Sequence, residues 1–406
     1  MTTSLKLKER LAVELLEYEV AEKQLTTDQA IALSETRVVT TRRAWAPNVF
    51  EVTAGPIVGA LRVGSDLELR VSPKLPVRRV VYLLAHAAGL ASWDDRLLSL
   101  DDDATIDVAL ATAFTVAAER ALSRGPGSGY FTVEAELQMV RGRLDSNRQR
   151  RRFGFPLPVA TVYDEYGTDI AENQLLAGAI LLLERLPSIS VHLRRRLRRL
   201  GQLLEGVRPA ARHESGLPVH FTRLNEHYRP AVALARVVIE GSSFDVPTGR
   251  RSVTGFTVNM HKLFEQFLQV TLSEAVRRRG LGRLHSQRPD HLDQGRLARI
   301  VPDLTWIVGR APLTVIDAKY KTLEEGRPSD DDLYQVIAYC VALGARQAYL
   351  VHATAPAVPV EMIVGSAGII VHIAGLDLGS PLDQLHFEIE ALADSIVSEL
   401  ALSAAV

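Results

Sequence analysis

Hydrophobic and polar positions change rhythm along the chain. Up to about residue 110 the rhythm leans to period two. Residues 37–42 and 49–53 read as strands. Residues 57–63 and 67–71 alternate on either side of Gly64-Ser65-Asp66, which predicts a hairpin. The second of these strands ends at Ser72-Pro73-Lys74-Leu75-Pro76, where proline removes ladder donors. A short helix is expected at 26–32, and an apolar stripe over 77–88 predicts another.

Residues 104 to about 240 read as mainly helical. An Ala-rich periodic run over 104–123 stops at Arg124-Gly125-Pro126-Gly127. A further amphipathic segment covers 132–139, and residues 159–163 form a short strand. Helices follow at 170–186 and 191–204. Loop formers over 240–249 predict a linker. Beyond it, Met260, Leu263, Phe264, Phe267 and Leu268 mark the buried stripe of a helix over 258–276. Residues 304–308 and 313–316 are rich in β-branched side chains around Gly309-Arg310-Ala311-Pro312, a second hairpin. Ser329–Asp332 caps a helix over 333–343, with Leu333, Ile337, Cys340 and Val341 expected inward. Strands at 347–352, 361–364 and 368–373 and a closing helix over 382–402 complete the pattern. The expected fold is α+β and multidomain. A β-rich domain covers 1–103, a mainly helical region 104–245, and an α/β layer 246–406.

Composition narrows the function. Hydrophobic residues make up 47% of the chain, enough for several cores. The formal net charge of -1 gives no global field for nucleic acid, so such binding needs local patches. One cysteine, Cys340, excludes an internal disulfide framework and a multi-cysteine zinc site, and suits a reducing cytoplasm. His261, His285 and His291 lack metal-ligand spacing. Met1–Glu9 is polar, with no secretory core, and no apolar run is long enough to suggest a membrane span. There is no P-loop sequence, so nucleotide hydrolysis would need another chain.

The second hairpin carries the chemistry. In an antiparallel pair closed near Gly309, Asp303 falls opposite Asp317 to within about one residue. Asp317 and Lys319 are two apart and leave the same face of their strand. Two carboxylates can hold Mg²⁺ together with substrate phosphate oxygens, and an ammonium beside them can orient water or offset developing charge. Pro302-Asp303 and Asp317-Ala318-Lys319 resemble the core motif of the PD-(D/E)xK nuclease superfamily. Leu263-Phe264-Glu265 looks like that superfamily's first-helix acid motif. The resemblance implies metal ligation by Asp303, Asp317 and Glu265, and an assisting role for Gln335, supported by Tyr339 one helical turn on.

The middle region adds arginines. Arg148, Arg150, Arg151 and Arg152 are candidate DNA-phosphate contacts, as is Lys321 beside the hairpin motif. Arg194, Arg195, Arg196, Arg198 and Arg199 lie on one basic helix. Such clusters also serve as solvated faces that pair with acids. Arg141-Gly142-Arg143 suggests a tight turn or an internal clamp onto Asp164 and Glu165, and Asp169 and Asn173 share one helical face.

Taken in order, the Pro73–Pro76 segment, Arg141-Gly142-Arg143, Asp169…Asn173 and the hairpin motif resemble McrC, the nuclease subunit of McrBC-type modification-dependent restriction systems. The first hairpin departs from that family in lacking an aromatic residue over Gly55–Gly59. The resemblance implies a cytoplasmic, Mg²⁺-dependent DNA endonuclease in phage defence against DNA bearing modified bases such as 5-methylcytosine. It also implies an N-terminal region that docks on, and stimulates, a McrB-like AAA+ GTPase. A nuclease of another repair or defence system, or a catalytically decayed adaptor, are the competing expectations.

Overall fold

The computed structural model describes residues 11–90, 105–151, 157–248, 251–280, 282–309, 311–321, 327–354 and 360–403. Arg152, Arg310 and the Met1–Glu9 terminus, each used above, lie outside the described residues. The architecture is mixed α/β, with several sheets and helices.

The first hairpin forms from Ile57–Val63 and Leu67–Ser72. Leu11–Leu16 adds in parallel to its second strand. The fourth and fifth strands of this sheet come from far along the chain. Arg251–Asn259 pairs antiparallel with Ile57–Val63, and Ser242–Thr248 pairs with Arg251–Asn259. The stretch expected as a linker therefore carries a hairpin that completes the N-terminal sheet. Its strand residues outweigh the local loop formers because an open sheet edge was waiting to be paired. A smaller sheet of Val20–Gln24, Val49–Ala54 and Val39–Arg43 lies beside it in sequence.

The middle region is less helical than its composition suggests. Gly129–Leu137, Val159–Gly167 and Arg143–Leu144 form a three-stranded sheet. Residues 132–139 were expected within a mainly helical region, but Tyr130, Phe131, Thr132 and Val133 are aromatic or β-branched and alternate in exposure as a strand. The helices Ile106–Ala121, Ala171–Glu184, Val191–Leu203 and Arg229–Gly241 pack together. Asn173, fully buried, donates from its amide to the carbonyls of Gly127 at 2.9 Å and Thr168 at 2.8 Å. Asp169 accepts from Gln174 and from the Arg208 amide. The aspartate–asparagine spacing thus staples backbone.

The strand Arg251–Asn259 runs straight into the helix Met260–Arg278, capped by the Asn259 side chain. This helix opens the C-terminal layer. Its six-stranded sheet has the order Arg283–Ser286, Leu304–Val308, Ala311–Lys319, Gln347–His352, Ile369–Gly375, Val360–Val364. Ile316, Tyr349 and Val351 pack in the main core with the helices Met260–Arg278 and Leu382–Ser403. Val315, Ala348 and Leu350 face the other way, onto the helix Asp330–Leu343. The period of two along each strand separates these faces. On that helix Val336, Tyr339 and Cys340 are buried, whereas Val341, expected inward, is 61% exposed.

Gly255 shows how tightly the long-range strand is fitted. A Cβ there would meet the Ala60 carbonyl oxygen at 2.1 Å and Leu61 Cα at 2.9 Å. Gly255→Val is therefore expected to destabilise the chain by about 1–3 kcal/mol or more, read as a fall in the urea midpoint. An unchanged midpoint would mean that this strand does not pair as described.

Candidate functional site

Leu304 faces Ile316 across the hairpin, so the next facing position brings Asp303 against Asp317. Asp303 sits one residue before its strand begins, and its Oδ2 accepts from the Ala318 amide at 2.9 Å. Asp317 is 2% exposed. Lys319, two residues on, lies 2.5 Å from Asp317 Oδ2 through its Nζ. The same ammonium donates to Gln335 Oε1 at 2.8 Å, and Gln335 Nε2 donates to the Tyr339 hydroxyl at 2.7 Å. The hairpin end and the helix Asp330–Leu343 thus bring Asp303, Asp317, Lys319, Gln335 and Tyr339 into one cluster.

The electrostatics are those of acids held against their solvation. Burial, then the charge of Asp317, pushes Asp303 up to about 7, while the Ala318 amide opposes the shift. Burial likewise raises Asp317, against the pull of Lys319. Burial alone would lower Lys319, but Asp317, Asp332 and Asp303 outweigh it and hold the ammonium charged. Asp317 Oδ2 receives no well-aligned hydrogen bond despite the short ion pair. A buried carboxylate oxygen without an aligned donor among the described residues is a costly arrangement.

Two residues here escaped the sequence reading. Asp332, 5% exposed, lies 3.5 Å from Lys319 Nζ and 2.6 Å from Lys321 Nζ. Burial would raise it, but the bonds from Lys321 and Ser329 and the charge of Lys319 win and lower it. The signal was present, since Asp332 stands one turn before Gln335. Gln287 is the second. It donates to Glu265 Oε1 at 2.6 Å, and its amide bonds the Asp303 carbonyl at 3.0 Å. Its φ of 44° is left-handed, a conformation unusual for glutamine that no local pattern announced.

Glu265 approaches from the helix Met260–Arg278 and acts on both aspartates as a like charge. Among the described residues, no group of three or more His, Cys, Asp or Glu side chains is arranged to hold a metal ion. The donor set that remains is the Asp303–Asp317 pair, all oxygen, buried and short of positive charge. That chemistry fits a hard divalent cation completed by water and phosphate oxygens.

The basic candidates are spread elsewhere. Lys321 is engaged by Asp332 and by Ser329. Arg148 pairs with Glu134 at 3.0 Å and Arg150 donates to Asn147, while Arg151 is exposed. On the basic helix, Arg196 makes a two-point bond with Glu119 and Arg194 donates to two carbonyls, so these two are structural. Arg141 lies over the Tyr163 ring at 4.1 Å and 3.9 Å from Glu165. Gly142 between the arginines has φ 75°, and a Cβ there would meet the Val162 carbonyl at 2.4 Å. The motif is a clamp on the neighbouring strand.

No helix among the described residues is long and apolar enough to cross a membrane. A search of curated proteins returns no match. Among solved structures, one chain from the Thermococcus gammatolerans assembly of McrB AAA+ hexamers with bound McrC has the same fold. It matches with a TM-score of 0.61 at 20% identity, over 95% of this chain and all of that one. A chain of the McrBC complex from the same organism matches 66% of this chain and 88% of its own length at 20% identity, with a TM-score of 0.40. The family described as McrBC 5-methylcytosine restriction system component matches residues 52–353, well over half of the sequence. With that match, the chain belongs to the McrBC 5-methylcytosine restriction system component family.

Proposed function

We propose that this chain is the Mg²⁺-dependent endodeoxyribonuclease subunit of a McrBC-like restriction system. The observation that carries the reading is the convergence of Asp303, Asp317, Lys319 and Gln335 at one end of a hairpin. Asp303 and Asp317 would hold the ion, with Glu265 as the third candidate once Gln287 releases it. Mg²⁺ held there supplies Lewis acidity to a phosphate oxygen and neutralises the paired carboxylates.

The chain's own residues account for the rest. Lys319 stays charged beside the reacting centre and offsets negative charge that builds on the phosphate. Gln335, held by Tyr339, accepts from Lys319 and fixes the direction of its ammonium, and the second amide hydrogen of Gln335 is the one it would offer to water or substrate. Asp332 draws Lys321 away from the aspartates, so one ammonium rather than two faces them. Arg148, Arg150, Arg151, Arg152 and Lys321 remain the proposed contacts to DNA phosphates.

In this reading the PD-(D/E)xK nuclease domain lies within 246–406, following a hairpin that completes the sheet of the β-rich docking domain 1–103, and 104–245 is a middle region of helices around a three-stranded sheet. The docking partner is an AAA+ GTPase, supported by the match to an assembly of McrB hexamers with bound McrC. Partner, DNA and cleavage together describe a phage-defence enzyme working in the cytoplasm.

Asp317→Ala is expected to abolish Mg²⁺-dependent cleavage of 5-methylcytosine-containing plasmid DNA in the presence of the AAA+ partner, a loss of about 10³-fold or more. Unchanged cutting would remove the assignment. A second outcome follows from the raised Asp303. A carboxyl whose folded pKa exceeds its unfolded value stabilises the fold when protonated. That contribution is whole below about pH 4 and is lost as pH rises to about 7. Asp303→Asn should therefore match the parent protein near pH 4 and be more stable by about 1–3 kcal/mol at pH 8 without divalent cation. Thermal denaturation in chelator at the two pH values checks this, and an equal or lower stability at pH 8 contradicts it.

A further inference from the structure

The strand that carries Asp317 and Lys319 does not end freely. Three successive carbonyls past its catalytic face each accept a hydrogen bond. The Lys319 carbonyl takes the Ala353 amide at 3.1 Å, and the Lys321 carbonyl lies 3.3 Å from His352 Nδ1. Both of those partners belong to the neighbouring strand and its exit. The middle carbonyl, of Tyr320, accepts from the Tyr18 hydroxyl at 3.4 Å, across 302 residues of sequence.

Tyr320 is the hinge of this contact because the strand period turns its ring away from Lys319. The ring joins the main core, near Phe264 and His261. Its hydroxyl donates to Glu17 Oε2 at 3.3 Å. Glu17 is 1% exposed, also accepts from the Lys74 amide at 3.4 Å, and keeps Oε1 without a partner among the described residues. Its own amide bonds the Ser72 carbonyl at 2.9 Å. The Tyr18 hydroxyl also pairs with His261 Nε2 at 2.6 Å, one helical turn before Glu265. Lys74 caps the assembly with its ammonium 5.0 Å above the Tyr18 ring. Ser72 and Lys74 belong to the proline-bounded segment that the sequence singled out and the cleavage site did not use.

The junction is costly to build. Tyr18 holds φ at 61°, a region that tyrosine seldom enters. Glu17 is a buried acid with one oxygen unmatched, and burial raises its pKa against the Lys74 and Tyr320 bonds. Strain and an under-satisfied acid at one point are the signature of a constrained, functional contact.

We propose that Tyr18 and Glu17 are positioning residues for Lys319. Through the carbonyl and hydroxyl of Tyr320, the N-terminal sheet fixes the backbone beside the lysine, and with it the reach of the ammonium to Asp317. The inference rests on the proposed cleavage site. It adds that the site is set from the N-terminal sheet, so movement of that sheet changes the rate of the chemical step.

The test uses the full chain with its AAA+ partner, Mg²⁺ and 5-methylcytosine-containing plasmid, comparing the parent, Tyr18→Phe, Glu17→Gln and Asp317→Ala. Tyr18→Phe keeps the ring and removes the hydroxyl. It is expected to lower kcat about tenfold while KM for DNA stays within about twofold, because misplacing a catalytic group costs rate rather than binding. The melting temperature should be unchanged. Glu17→Gln should lower kcat in the same way, and carries the test if Tyr18→Phe fails to fold. If Asp317→Ala is inactive and both junction variants keep the parent's kcat, this proposal falls and the cleavage site stands. The proposal also falls if the variants change only KM or melting temperature. If Asp317→Ala cuts as the parent does, the cleavage site and the proposal fall together.

Discussion

The ion pair between Lys319 and Asp317 is the contact on which the C-terminal layer turns. It is 2.5 Å long, with Asp317 buried and the Lys319 side chain 17% exposed. An isolated carboxylate at that depth would take up a proton, and two of them side by side would do so more readily. Lys319 offsets part of that penalty, and Asp332 and Gln335 fix where the lysine sits. The hairpin therefore keeps a destabilised pair of acids at its end without collapsing around them. Such an arrangement weakens the fold, and under the proposed function it is the place a divalent cation would take.

Everything behind the pair serves to hold it still. The parallel strand Gln347–His352 supplies the apolar floor, and the helices on either face take alternate residues of each strand. The helix Met260–Arg278 continues directly from a strand of the N-terminal sheet, so one stretch of chain belongs to both layers. The core around it runs from Val13 to Val397 without a break. The N-terminal sheet and the end of the hairpin thus share one core, and the Glu17–Tyr320 hydrogen bond is a polar contact between them.

Much of this was legible in the sequence for reasons that are local. Both hairpins announced themselves through turn residues and alternation, and the capped helix after Ser329 through its hydroxyl and acids. Asp303, Asp317 and Lys319 could be named because strand period and hairpin register are local rules. What stayed hidden depends on distant partners. Residues 240–249 look like a linker until the hairpin of Ser242–Thr248 and Arg251–Asn259 has the edge of Ile57–Val63 to pair with. The strand Gly129–Leu137 needed Val159–Gly167 opposite it. Gln287 and Glu17 carry no local signal, since each matters only through a residue far away in sequence.

The most direct test of the central claim is a crystal structure of the full chain soaked with Mn²⁺, with anomalous scattering locating the ion. One anomalous peak is expected within ligand distance of both Asp303 and Asp317, with Lys319 Nζ drawn off Asp317. Saturating Mn²⁺ that supports DNA cleavage yet leaves no peak between these two carboxylates would contradict it.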